Sequence, residues 1–233
     1  MEMLGSIAKA FSEGGSWMYA ILGMQIFTVA IVIERALTLF VKRKANQKEL
    51  ALTFEKDIRR GDIESVIANA QKLESTNPVA RAIAAGAKAA FNLGGQNEIQ
   101  GKMDEILLEE NTVIEKRTGF LAMLGNVATL TGLLGTITGM IRSFAAVSMA
   151  NPSEKATALS AGISEAMNCT AYGLIVAIPS LVAFAIIQNR ATILEEDLNQ
   201  GALKVFNWLS YSYESVPARS ARKETRGETS LNN

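Results

Sequence analysis

The sequence predicts an all-α membrane protein, with three transmembrane helices and long helical extensions on the cytoplasmic side. Three observations carry this. Charge is absent from three runs, residues 14–33, 118–141 and 166–189, each close to the ~20 residues a helix needs to cross a hydrocarbon core. At ~1.5 Å per residue the two longer runs reach roughly 36 Å. Hydrophobic residues make up 48% of the chain, and the charged ones gather outside these runs. Elsewhere apolar residues recur at helical spacing, with no alternating strand pattern. A soluble bundle also buries helices, but its helices rarely stay uncharged on every face for six turns.

Composition removes several classes of function. The 23 basic and 23 acidic residues cancel, so nothing in the overall charge points to nucleic acid. A single cysteine, Cys169, precludes an intrachain disulfide. The lack of histidine removes the usual metal ligand and the side chain that titrates near neutrality. Neither Gly94-Gly95 nor GLLGTITG precedes a phosphate-binding Lys-Ser/Thr, and no nucleophile–base pair stands out. No enzyme, metal or cofactor is expected.

In chain order, residues 1–16 form an outer segment and 17–41 the first span. Glu2, Lys9 and Glu13 precede the apolar run, where a signal peptide would be basic. ERALTLFVKRK follows it in place of a small-x-small cleavage site, so the run reads as a retained anchor. Lysine and arginine set the orientation. The outer segment has only Lys9 and the loop at 148–162 only Lys155, whereas the long segment between spans one and two starts with Lys42, Arg43, Lys44 and Lys48 and ends with Lys116-Arg117. That places the N-terminus outside and the long segment and tail in the cytoplasm.

Residues 42–117 read as a cytoplasmic helical domain. Glu49–Leu73 has apolar residues at helical spacing, interrupted at Gly61-Asp62. Pro78 after Asn77 opens an alanine-rich helix over Val79–Leu93, and Gly94-Gly95 stops it. Gln96–Arg117 returns to the membrane with Ile99, Met103, Ile106, Leu107 and Ile114 on its apolar side. Span two follows at 118–147 and span three at 163–189. A helical extension covers 190–214, and residues 215–233 are polar enough to be disordered.

The two later spans carry the information. In span two, Gly125, Thr129, Gly132, Thr136, Gly139 and Ser143 recur every three or four residues and share one face. Such a stripe lets another backbone approach, which is how helices pack in lipid. Thr131 and Thr138 lie on another face; their hydroxyls either bond back one turn or line a wet cavity. In span three, ISEAMNCTAYGLIVAIP, Glu165, Asn168 and Tyr172 share a face, with Cys169 and Thr170 beside it. Glu165 is either a functional carboxylate or a cap on the outer end of its helix. Gly173, Ala177 and Ser180 continue a small-residue stripe, and Pro179 removes one backbone hydrogen bond. A ring of such faces would enclose a narrow pore that admits a little water and a partner helix.

GLLGTITGMIRSF, Gly132 to Phe144, resembles the second-span signature of the MotA/TolQ/ExbB proton-channel family. GISEAMNCTAYGLIVAIPSLVAF, Gly162 to Phe184, resembles its third-span signature. Three spans with one large cytoplasmic segment, and IVIERALTLF at the end of span one, resemble the ExbB/TolQ branch. The resemblance implies a homopentameric ring in the bacterial inner membrane, N-terminus periplasmic and C-terminus cytoplasmic. The ring would surround two copies of an ExbD/TolR-like single-span protein whose membrane aspartate carries the proton. It would convert proton motive force into mechanical work, passed on by a TonB/TolA-like transducer. Thr136 and Thr170 match the family's pore threonines, Glu165 its third-span glutamate and Pro179 its proline. Thr136, Thr170, Glu165 and Asn168 are the expected path, and Gly125, Gly132, Gly135, Gly139, Gly173 and Pro179 the expected packing positions. Asn168, Cys169 and Tyr172 depart from the family pattern. A sodium-driven version, a non-conducting scaffold and a small transporter subunit are the competing readings.

Overall fold

In the computed structural model, residues 15–43, 46–92, 94–149 and 151–213 are described, and among them there is helix and no strand. Residues 1–14 of the outer segment and residues 214–233, which include the tail 215–233 expected as disordered, lie outside these residues. The helices are α1 (Trp17–Ala36), α2 (Gln47–Thr53), α3 (Glu55–Arg60), α4 (Ile63–Leu73), α5 (Pro78–Phe91), α6 (Gln96–Glu115), α7 (Thr118–Met149) and α8 (Lys155–Tyr213). Three stretches are long and apolar enough to cross a membrane: Trp17–Val41, Gln96–Met149 and Lys155–Tyr211. The chain is a multi-pass, all-α membrane protein. It divides into two compact units, one of residues 15–43 with Glu115–Ala191, the other of 46–114 with 192–213.

In the first unit α1, α7 and the first part of α8 pack together. Met18, Ile21, Ala128, Cys169 and Val176 form the buried cluster, with Trp17, Met24 and Tyr172 against it. Large apolar side chains point outward, among them Phe27, Leu130, Ile141, Phe144, Ile175 and Ile186, as expected where lipid or another membrane helix is the solvent. The sequence reads span one as uniform helix, yet α1 gives way to a π-helical turn at Leu37–Lys42. The wider turn is held by Thr38, whose hydroxyl donates to the Glu34 carbonyl at 2.8 Å and whose carbonyl accepts from the Arg43 amide at 3.1 Å. The α6–α7 break falls at Lys116-Arg117, where Arg117 takes a left-handed φ of 63°. Its guanidinium meets Glu34 at 2.7 and 2.8 Å, the kind of partner that can hold a non-glycine residue in this sparsely populated region.

In the second unit α5 is the centre. Alanine is a strong helix former with little bulk, and this helix buries Val79, Ala80, Ala82, Ile83, Ala84, Ala87, Ala89 and Ala90. Ile58, Ile63, Val66, Ala70, Ile99, Met103, Val205 and Leu209 are buried with it. The expected interruption at Gly61-Asp62 is present: Gly61 closes α3 at φ 76° and Asp62 caps α4 by accepting from the Ser65 amide at 3.2 Å. The first helix starts at Gln47 rather than Glu49 because its cap comes from far away. The Asp197 carboxylate on α8 accepts from the amides of Asn46, Gln47 and Lys48 at 2.9, 2.7 and 3.3 Å. The Gln47 side chain in turn accepts from the Val79 amide at 3.2 Å, capping α5, whose Asn77 makes no side-chain cap. The alanine helix ends at Phe91, short of the expected Leu93, which lies outside the described residues. Arg81 pairs with Glu109 at 3.0 Å and with buried Glu110 at 2.5 Å, and hydrogen bonding to Glu110 raises the Arg81 guanidinium above its ordinary range.

One reading of span three changes. The helix already begins at Lys155, so Glu165 is well inside α8 and does not cap its outer end. Helix also continues through Pro179 to Tyr213 without interruption.

Candidate functional site

The glycines of span two have a specific use. A Cβ on Gly132 would lie 3.2–3.3 Å from Cys169 O, Gly173 Cα and Thr170 Cα. One on Gly173 would lie 2.9 Å from Ala128 O and 3.1 Å from Gly132 Cα. Gly125 lies against Leu181 and the Ala177 carbonyl, Gly135 against Cys169 Sγ, Gly139 against Ala166, and Gly162 against the Ser143 hydroxyl. The two stripes therefore meet each other inside one chain. Ser180, buried, donates to the Leu121 carbonyl at 2.7 Å and closes the inner end of this seam. Pro179, one position before it, points outward and is exposed.

The seam has two flanks, and they differ. On one, Thr136 and Thr170 hydrogen-bond to each other. Thr136 Oγ1 also lies 3.2 Å from the Gly132 carbonyl and 3.3 Å from the Ala166 carbonyl, and Thr170 Oγ1 lies 3.1 Å from the Gly132 carbonyl. Each hydroxyl has one proton to give and two lone pairs, so the pair keeps acceptor capacity after these bonds. Both side chains are half-buried, with exposed Leu133 and Leu174 nearby in sequence. Two coupled hydroxyls can pass a proton along but cannot hold a charge near neutrality. Thr131 and Thr138 bond back to the carbonyls of Val127 and Leu134 at 2.8 and 3.0 Å.

The other flank is covered by α1. Glu165 lies against Gly15, which has a φ of 73°; the Tyr172 hydroxyl bonds Gln25 Oε1. Arg190 Nε donates to the Leu39 carbonyl at 3.4 Å, and its guanidinium stacks on Phe40, 5.5 Å from the ring centre. Glu165, Tyr172 and Arg190 are separated by about two and five whole helical turns, so they form one polar line down α8, all of it facing span one. Thr170, two residues before Tyr172, is turned roughly 200° from it. The structure thus brings Thr136 and Thr170 together and sets Glu165 on the opposite flank, with half-buried Asn168 a turn from Tyr172. Sequence reasoning missed Gln25 and Arg190. Gln25 had a signal, as the one amide side chain in residues 14–33.

Residues 74–200 match the model of the MotA/TolQ/ExbB proton channel family, more than half the chain. The chain belongs to this family. Relatives place it in the ExbB/TolQ branch. It is 33% identical over 127 residues to the Tol-Pal system protein TolQ of Haemophilus influenzae; that match covers 54% of this chain and half the length of that relative. It is 26% identical over 222 residues to the biopolymer transport protein ExbB of Salmonella typhimurium, covering 85% of this chain and 84% of that protein. It is also 30% identical over 176 residues to a putative biopolymer transport protein ExbB-like 3 of Synechocystis, covering 72% and 79%.

Proposed function

We propose that this ExbB/TolQ-branch chain is the channel-forming subunit of an ion-driven motor in the bacterial inner membrane. Five copies surround two copies of an ExbD/TolR-like single-span protein, the N-terminus is periplasmic, and the long segment and tail are cytoplasmic. A membrane aspartate of the partner carries the proton past the Thr136–Thr170 pair, and Glu165 and Asn168 shape the outer part of the same helix. Protons crossing at ~100 mV release about 2.3 kcal/mol per charge, enough over several crossings to drive a mechanical step that a TonB/TolA-like transducer passes to the envelope. The observation that supports this most is the hydroxyl pair on the flank of the seam that α1 leaves uncovered.

The test is purification from native membranes with the short single-span protein that accompanies it, subunit counting by native mass spectrometry, and proton uptake in proteoliposomes. Thr136→Val and Thr170→Val are each expected to lower uptake at least tenfold while leaving the subunit count unchanged. Wild-type uptake in both would remove the threonines from the ion path, and no uptake by the parent complex would leave a non-conducting scaffold as the function. Uptake that follows a sodium gradient instead would change the ion.

A further inference from the structure

The Tyr172–Gln25 bond lies in an apolar setting. Its neighbours are the buried cluster of Met18, Ile21, Ala128, Cys169 and Val176, with Met24 beside it. In lipid a side-chain hydrogen bond between helices has no water to compete with it, and losing one shifts a packing equilibrium by a few-fold. The bond also sits at a particular angle. The glycine seam restrains the distance between α7 and α8, and the side chains along it, Cys169 against Gly135 and Ser180 on the Leu121 carbonyl, lie near its line of contact; the rotation of α8 about its own axis is set further by what holds its other flank. The line of Glu165, Tyr172 and Arg190, against Gly15, Gln25 and Leu39 in turn, supplies that restraint, and Tyr172 is its mid-membrane member, roughly opposite Thr170 on the same turn.

We propose that Tyr172 and Gln25 are positioning residues: their bond sets the rotation of α8 and so aims the Thr170 hydroxyl at Thr136. This rests on the reading that the threonine pair lines the ion path. Neither residue touches the ion. They act on it from the covered flank, through the helix, by holding Thr170 in register with its partner.

The chain carries its own reporter. Cys169 is the only cysteine, is 1% exposed and lies between the two flanks, one position before Thr170. A rotation of α8 brings it out of the cluster. The experiment measures two things on the full chain with its partner in proteoliposomes: the rate at which membrane-permeant methyl methanethiosulfonate modifies Cys169, and proton uptake. Tyr172→Phe and Gln25→Leu are each expected to speed modification about three- to tenfold and to lower uptake by a similar factor. The double variant should do no worse than the stronger single one, since both remove the same bond. Tyr19→Phe, on an exposed tyrosine of α1, should change neither quantity. Thr136→Val should lower uptake and leave Cys169 protected. The proposal is overturned if Tyr172→Phe keeps Cys169 as protected as in the parent, or exposes it without lowering uptake. If Thr136→Val conducts normally, the path itself is misassigned and the proposal falls with it, a result distinct from failure of the Tyr172 arm alone.

Discussion

α7 in the first unit and α5 in the second are both lined with small residues, but the small residues serve different ends. On α5 they are mainly alanines, and most neighbours are side chains: a Cβ on Gly86 would meet Met103 Sδ at 2.6 Å and Leu209 Cδ1 at 3.5 Å. On α7 they are glycines, and at Gly132, as at Gly173 opposite it on α8, the neighbours are backbone atoms of the facing helix. The second unit buries apolar surface, which water rewards, and secures its helix ends with carboxylate and amide caps. The first unit has no such reward between helices in lipid, and gains instead from close van der Waals approach and a few hydrogen bonds. Methionine can move aside for a methyl group; a carbonyl in a hydrogen-bonded helix cannot.

The largest expected effect breaks the seam outright. Gly173→Leu or Gly132→Leu should abolish recovery of folded protein, seen as loss of the monodisperse peak on size exclusion in detergent. The comparison itself is sharpened by a matched pair of smaller changes. Gly173→Ala should destabilise by about 1–3 kcal/mol, as overpacking against fixed atoms does. Gly86→Ala should stay within about 1 kcal/mol of the parent, because the helix propensity of alanine offsets the shift of Met103. Unfolding in mixed micelles would rank them, and equal losses would refute the distinction. Next comes the remote cap: Asp197→Ala should cost about 1–2 kcal/mol and speed hydrogen exchange at the amides of Asn46, Gln47 and Lys48 specifically.

The smallest effect is acid sensitivity at the start of α4. Hydrogen bonds from the Ser65 side chain and amide hold the Asp62 carboxyl below its ordinary range. A carboxyl lowered in the folded state contributes fully above its unfolded pKa, and that contribution is lost as pH falls through the folded value. Protection of the Ser65 amide should therefore weaken below roughly pH 4. Asp62→Asn should remove this dependence.

Much of this was legible in the sequence. Charge-free runs locate the spans because lipid tolerates little charge on any face, and the spacing of Gly125, Gly132 and Gly139 gives one packing face directly. Periodicity says which residues share a face but not which helix lies opposite. Glu165, Asn168 and Tyr172 were therefore visible as a stripe, while its coverage by span one was not. For the same reason the two glycine stripes could be found separately, but not matched to each other. The Asp197 cap joins residues about 150 positions apart in the chain, and nothing local at Asn46 announces it. The π turn at Leu37–Lys42 and the left-handed Arg117 depend on partners supplied by folding, so LTLFVK and KRT read as ordinary helix and charge.

The contact of Gly132 with Gly173 has a mechanical consequence. Where carbonyl oxygens rest on Cα atoms there is little slack, and sliding one helix past the other by a turn would drive the side chains of Cys169, Val176 or Ala177 toward positions now filled by glycine hydrogens. The two later spans are thus held in axial register as a single stiff lever, with the rotation of α8 left to the contacts on its other flank. Under the proposed motor function, any movement that accompanies ion flow carries this hairpin as a unit, and the compliance resides outside it.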